Sequence, residues 1–284
     1  MIVTGNGNNE IETGDGNNDI TTGSGNDTVT TGSGDDTIHT GDGNDVVHAG
    51  GGNDAIVGGQ GGGNDLYDGG SGSNTVEYPS AINGVTVDLN EIDRSGDPIL
   101  GGALGAVLTG ASLPVTTPVG YAQGADIGID ALIAIDNVVG SPGNDTIFGN
   151  SDANLFTGGG GDDRLAGRAG IDTALFAGTL LAANITAVID ADPATAGNQA
   201  GWRVIAGPEG TDLLTGIEKI TDGTGHTFLL AGSGGFATLA QAQAAAQPGD
   251  EILTGVLGQV RDSFDGDSKS DIPGRATMAR SRHG

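Results

Sequence analysis

The chain has no cysteine, and it has no lysine or arginine before Arg94. The first absence excludes disulfides and thiolate metal sites. The second leaves residues 1–77 with 13 Asp and Glu and no basic partner for any of them. Over the whole chain 37 acidic residues stand against 10 basic ones, a formal charge of −27. Such a surface repels nucleic acid and anionic membranes, and its self-repulsion opposes compaction until cations bind. No His-x-x-x-His, Glu-x-x-His or Gly-x-Ser-x-Gly is present, so zinc-protease and serine-hydrolase readings have no support. His39 and His48 belong to neighbouring repeats that fall on opposite sheets, and His226 and His283 are isolated. The opening Met1-Ile-Val-Thr-Gly has neither a basic nor an apolar region, so no cleaved secretory signal is expected there. Pro98 to Ala125 contains no charge, but three prolines and many glycines argue against a spanning helix and for a loop or hairpin flap.

What the chain has is a nine-residue repeat. Thr22–Thr30, Thr31–His39, Thr40–His48 and Ala49–Val57 follow a turn of two or three glycines and an acid, then a three-residue strand, in the pattern (G/T)-G-x-G-(N/D)-D-x-U-x with U apolar. Copies start at Thr4, Thr13, Thr22, Thr31, Thr40, Ala49, Gly58 and Gly69. Ile11, Ile20, Val29, Ile38, Val47, Ile56, Tyr67 and Val76 fill the apolar position. The sixth position holds Asn9, Asn18, Asp27, Asp36, Asp45, Asp54, Asp65 and Asn74. Two extra residues interrupt the seventh copy, which leaves the Asp45–Asp65 alignment open. Asparagines in the outer copies suit capping units, because terminal repeats of a stack are usually atypical.

Two copies make one coil of strand, turn, strand, turn, so copies n and n+2 stack on one edge, roughly 4.8 Å apart as neighbouring strands are. Their sixth-position carboxylates then repel unless a cation lies between them. Ca²⁺ takes six to eight oxygens at about 2.3–2.6 Å and accepts backbone carbonyls as readily as carboxylates. Glycine lets the turn adopt φ > 0 and aim those carbonyls inward, which brings in Gly23, Gly25, Gly32, Gly34, Gly41 and Gly43. Asp27, Asp45 and Asp65 align on one edge, and Asp36 and Asp54 on the other. A strictly placed apolar residue in every copy argues against a solvated low-complexity linker.

A second run begins at Gly140, with sixth positions Asp145, Asn154, Asp163 and Asp172. Asp145 and Asp163 form a same-edge pair; Asn154 and Asp172 form a poorer one, since an amide brings no charge. Residues 4–77, and more weakly 137–176, resemble the repeats-in-toxin (RTX), or haemolysin-type, calcium-binding repeats. That resemblance implies a parallel β-roll with calcium held between successive turns by the sixth-position acid and turn carbonyls. The ligand role transfers to Asp27, Asp36, Asp45 and Asp54, to Asp65, Asp145, Asp163 and Asp172, and least directly to Asn9, Asn18 and Asn74. Exported relatives of that kind use an uncleaved C-terminal signal, whereas Arg280-Ser-Arg-His-Gly284 offers no apolar tail.

Between the runs, Ile82 to Leu89 alternates like a strand, and Ala131 to Val139 reads as strands re-entering the second run. Beyond residue 177, Asn184 to Asp190, Trp202 to Ala206, Leu213 to Ile220 and Thr227 to Leu230 read as strands, and Ala237 to Gln247 as a short helix stopped at Pro248. Trp202 reads as core. Phe236 to Thr254 resembles the helix-capped first coil of pectin-lyase-type β-helices. Asp265-Gly-Asp267-Ser-Lys-Ser-Asp271 resembles the calcium loop of FG-GAP repeats, with oxygens at i, i+2 and i+6 that could wrap one ion.

The expected fold is therefore all-β: a parallel β-roll (a right-handed β-helix of nonapeptide repeats) in two runs, then a small β-rich module with one short helix. The expected organisation is a calcium-binding roll at 1–77, an inserted strand and loop segment at 78–136, a second run at 137–176, a β-rich module at 177–255 and a charged tail at 256–284. The expected function is Ca²⁺ binding that drives folding of a secreted, extracellular structural or adhesin-like protein without catalytic residues. Its partners would be calcium ions and, beyond them, cell-surface polysaccharide or other copies of itself. The alternative is a non-catalytic accessory part of a secreted polysaccharide lyase, epimerase or protease.

Overall fold

Short strands recur at nine-residue steps because each glycine turn breaks the chain after three extended residues. The computed structural model describes residues 1–59, 63–92, 94, 100–114, 116–189 and 200–255. Strands Glu10–Glu12, Asp19–Thr21, Thr28–Thr30, Thr37–His39, Val46–His48 and Ala55–Val57 fall alternately into two sheets. Within a sheet they pair in parallel at an 18-residue offset: Ile11 opposite Val29, Ile20 opposite Ile38, Val29 opposite Val47, Ile38 opposite Ile56. His39 and His48 accordingly lie on different sheets. The central residue of each of these strands is buried, and the two rows meet in one core that continues from Ile11 to Leu230. Burying one Val or Ile contributes about 1.5–3 kcal/mol. One such side chain per nine residues is a thin core, so the turns need support of their own.

The two runs share both sheets. Gly128–Ile133 pairs with Leu66–Asp68, Val85–Ile92 with Thr146–Phe148, and Asn137–Val139 with Thr75–Glu77 on one side and Leu155–Thr157 on the other, all in parallel. Val119–Gly124 fills the gap, antiparallel to both Val85–Ile92 and Gly128–Ile133. The hairpin expected in Pro98 to Ala125 is thus present in part, but a helix, α1 (Leu100–Gly110), stands beside it and corrects the loop reading. Its glycines give it poor intrinsic propensity. It forms because Leu104, Val107 and Leu108, spaced i, i+3, i+4, bury against Leu66, Val119 and Ala131 on the outside of a sheet.

Beyond the second run the sheets continue. Thr211–Thr215 adds in parallel to Arg164–Ala166, and Lys219–Thr221 to Thr173–Leu175. The stretch Leu213 to Ile220 is therefore not one strand but parts of two, divided at Gly216 (φ 60°), and each part enters a different sheet. Ile185–Ile189 and Ala200–Ile205 extend one sheet by antiparallel pairing. Trp202 is core, with Nε1 donating to the Gly232 carbonyl at 3.1 Å. Helix α2 (Leu239–Ala245) starts at a Thr238–Gln241 capping box and buries Ala242 against the pair Thr227–Ala231 and Glu251–Thr254. Among the described residues no helix is long and apolar enough to cross a membrane.

Candidate metal centre

Each sixth-position residue sits where a turn hands over to a strand, so its side chain reaches the backbone N–H of the same position one coil back. Asp27 N–H donates to Asp45 Oδ1 at 2.8 Å, Asp36 N–H to Asp54 Oδ1 at 2.9 Å, and Asp45 N–H to Asp65 Oδ1 at 2.8 Å. The last of these bonds keeps the ladder in step across the two-residue insertion. Asn9 and Asn18 N–H donate to Asp27 and Asp36 Oδ1, both at 2.7 Å. In the second run Asp145 N–H donates to Asp163 Oδ1 and Asn154 N–H to Asp172 Oδ1, each at 2.8 Å. Asp27, Asp36, Asp45 and Asp54 are each only 1 % exposed. Their Oδ1 atoms are satisfied, but the Oδ2 atoms of all four, and of Asp172, are buried without a hydrogen-bond donor. A buried carboxylate oxygen with no donor is costly, and a cation is the remaining way to satisfy it.

The outer copies show what else faces that oxygen. Asn9 Nδ2 donates to the carbonyls of Gly5 at 3.1 Å and Gly7 at 2.5 Å and to Asp27 Oδ1 at 3.0 Å. Asn18 Nδ2 does the same with Gly14, Gly16 and Asp36 at 3.2, 2.6 and 3.2 Å. One repeat on, the matching oxygens belong to Gly23, Gly25 and Asp45, then to Gly32, Gly34 and Asp54, then to Gly41, Gly43 and Asp65. There the sixth residue brings a carboxylate oxygen in place of the amide nitrogen. The neighbouring Oδ1 atoms already accept backbone N–H bonds, as do the Gly23 and Gly32 carbonyls, but the sixth-position Oδ2 that faces these oxygens has no donor. That donor set, all hard oxygen and partly charged, fits Ca²⁺. When bound, the ion would supply the positive charge that four convergent acceptors lack. Among the described residues no three acidic or histidine side chains cluster as a metal site; carbonyls must provide the balance.

Gly43 shows why the turn is built from glycine. Its φ is 141°, and a Cβ there would lie 1.9 Å from the Gly25 carbonyl oxygen of the coil before. The coils stack through these carbonyls, and a side chain would separate them.

The ladder extends beyond the residues expected from the repeat. Asp65 N–H donates to Asp130 Oδ1 at 3.1 Å, Asn74 N–H to Asp136 Oδ2 at 2.8 Å, Asp163 N–H to Asp212 Oδ1 at 2.9 Å and Asp172 N–H to Glu218 Oε2 at 2.9 Å. Asp130, Asp136, Asp212 and Glu218 lack the glycine turn that announces a full copy. Each nevertheless opens the second half of one, acid-x-U-x, in Asp130-Ala-Leu132-Ile, Asp136-Asn-Val138-Val, Asp212-Leu-Leu214-Thr and Glu218-Lys-Ile220-Thr. A search for that half-motif finds all four. At the rung preceding Asp145 the ladder position falls to Val85, whose N–H donates to Asp145 Oδ1 at 2.6 Å. Fifth-position residues form a second, exposed ladder of opposite polarity: Asn26, Asn44 and Asn64 N–H donate back to the side-chain oxygens of Asn8, Asn26 and Asn44 at 2.9, 3.0 and 2.8 Å.

Not every acid in the ladder keeps a free oxygen. Asp145 Oδ2 accepts the Ser141 N–H at 2.6 Å, and Asp65 Oδ2 accepts the Tyr67 hydroxyl at 2.7 Å. Asp265, Asp267 and Asp271 lie outside the described residues.

Without a cation, burial pushes Asp45 up to about 7, with Asp65, Asp27 and Asp42 adding repulsion against the opposing Asp27 N–H. Burial likewise takes Asp163 to about 8, and Asp172 and Asp212 to about 7. These values lie above the unfolded 3.8. The stability that protonation lends is therefore complete below that value and is lost as pH rises through about 7–8. Calcium needs the ionised form, so its effect has the opposite sign. In chelator, the β signal should strengthen as pH falls from about 8 to about 5. Calcium binding near neutrality should release protons, read as a binding enthalpy that changes with the buffer's ionisation enthalpy. An enthalpy independent of buffer would show that these acids are already ionised.

Among curated proteins none matches the chain. The family model of the RTX calcium-binding nonapeptide repeat matches in four copies, over residues 1–29, 30–62, 61–76 and 139–174. The matched segments contain the donor-free carboxylates of Asp27, Asp36, Asp45, Asp54 and Asp172. Over these segments the chain carries RTX calcium-binding nonapeptide repeats.

Proposed function

We propose that calcium binding folds this chain, and that the folded roll serves a secreted structural or adhesin-like role outside the cell. The observation that carries the reading is the set of buried Oδ2 atoms without donors on Asp27, Asp36, Asp45 and Asp54. Cytosolic calcium is too scarce to fill sites of the extracellular class, with Kd of about 10⁻⁴–10⁻³ M, whereas external calcium is sufficient. The chain would stay loose before export and close afterwards. Its acidic surface suits a partner reached through bound calcium, such as an anionic cell-surface polysaccharide, or a second copy.

The ladder geometry separates specific binding from bulk charge. Asp36→Ala and Asp45→Ala each remove an oxygen facing the ion, so each should weaken calcium binding about tenfold or more, about 1.4 kcal/mol. Asp15 and Asp42 are exposed third-position residues, and Asp15 does no more than accept Ser33 N–H and hydroxyl bonds. Asp15→Ala and Asp42→Ala should leave affinity nearly unchanged. Equal losses across both sets in titration calorimetry would mean that net charge alone holds the ions.

We also propose that the chain is not itself an enzyme. Incubated with uronate polymers or casein, with and without calcium, it should release no product. Turnover abolished by a point substitution would instead favour the lyase, epimerase or protease reading.

A further inference from the structure

The sixth-position rungs divide by what faces their second oxygen. At Asp27, Asp36, Asp45, Asp54 and Asp172 it has no donor. At Asn9 and Asn18 the atom in that place is an amide nitrogen, already donating to two turn carbonyls and to the next carboxylate. At Asp65 and Asp130 both oxygens of each carboxylate are taken. Asp65 receives Asp45 N–H on Oδ1 and the Tyr67 hydroxyl on Oδ2; Asp130 receives Asp65 N–H on Oδ1 and the Tyr78 hydroxyl on Oδ2 at 3.0 Å. Both tyrosines are fully buried, and the Tyr67 hydroxyl lies 3.1 Å from Thr40 Oγ1. Tyr67 occupies the apolar position that Val or Ile fills in the copies before it, and it adds the one thing those residues lack, a proton donor.

We propose that the protein's own donors replace calcium at these rungs: the Asn9 and Asn18 amides close the rungs before Asp27, and the Tyr67 and Tyr78 hydroxyls close those after Asp54. The roll then has calcium-dependent coils at Asp27–Asp54, flanked on both sides by rungs whose hydrogen bonds form without any ion. Those rungs hold the register in which the intervening coils close when calcium arrives. The inference rests on the calcium reading given above.

Two measurements on the full chain test it. In equilibrium dialysis with radiolabelled calcium at millimolar free ion, the Asn9→Asp/Asn18→Asp variant should bind two more ions than the wild type, because each change completes an all-oxygen site. In hydrogen exchange under excess chelator, the amides of Asp65 and Ala131, which bond to Asp130 Oδ1 and the Asp65 carbonyl, should exchange at least about tenfold more slowly than Val46, which bonds to the Asp27 carbonyl. The Tyr67→Phe/Tyr78→Phe variant should lose that difference in chelator yet still gain β signal with calcium. An unchanged ion count in a calcium-binding variant, or uniform exchange in the wild type, overturns the proposal and leaves the calcium reading standing. A wild-type chain that takes no calcium overturns both.

Discussion

Adding about 10 mM calcium to the chelated chain should raise its β signal and its melting temperature, by amounts larger than any single substitution changes them. The magnitude follows from mass action. A site with Kd of about 10⁻⁴–10⁻³ M gains about 1.4–2.7 kcal/mol at that concentration. The donor-free rungs at Asp27, Asp36, Asp45 and Asp54 together would then gain about 6–11 kcal/mol, comparable with the whole stability of an ordinary domain. The opposing force is present throughout: residues 1–77 carry no lysine or arginine to offset their acids. Magnesium at equal concentration should do much less, because it demands a compact octahedron and parts with its waters reluctantly. Circular dichroism through a calcium titration, reversed with chelator, reads the effect. A spectrum that monovalent salt alters as much as calcium does would reduce the ions to charge screening.

The second large effect belongs to the turns. Gly43→Ala should cost more than about 3 kcal/mol in calcium, whereas Gly7→Ala should cost about 1–3 kcal/mol, the strain of a side chain in an unfavourable backbone region. Both glycines have positive φ, 141° and 102°. They differ in what a new carbon meets: at Gly43 it lies 1.9 Å from the Gly25 carbonyl oxygen, and at Gly7 nothing lies within 4 Å. The difference between the two variants therefore isolates coil stacking from backbone strain. Thermal melts in saturating calcium measure it, and equal losses at the two positions would deny that glycine carbonyls set the distance between coils.

The periodic part of this fold is legible in the sequence because two signals coincide in one register. Ile20, Ile38 and Ile56 mark the core at 18-residue steps, and Asp36 and Asp54 mark the edge two residues earlier in each copy. A one-residue slip would bury the wrong face, so the pairing has little freedom. Helix α1 is not legible in the same way. Leu100–Gly110 is rich in glycine, and its helicity depends on Leu66 and Ala131, which are remote in sequence. The ladder acids Asp130, Asp136, Asp212 and Glu218 escape a search for whole repeats, since antiparallel strands or loops replace their glycine turns. The tyrosine donors are hidden for another reason. Tyr67 looks like one more apolar side chain, and only the structure shows its hydroxyl on Asp65.

The most direct test is anomalous diffraction from crystals of the chain grown in calcium. The account predicts ion peaks beside the Oδ2 atoms of Asp27, Asp36 and Asp45, each also within about 2.3–2.6 Å of two glycine carbonyls of the same turn. Crystals of the same fold in which those three rungs show water or a closed hydrogen bond, and no ion, would contradict it.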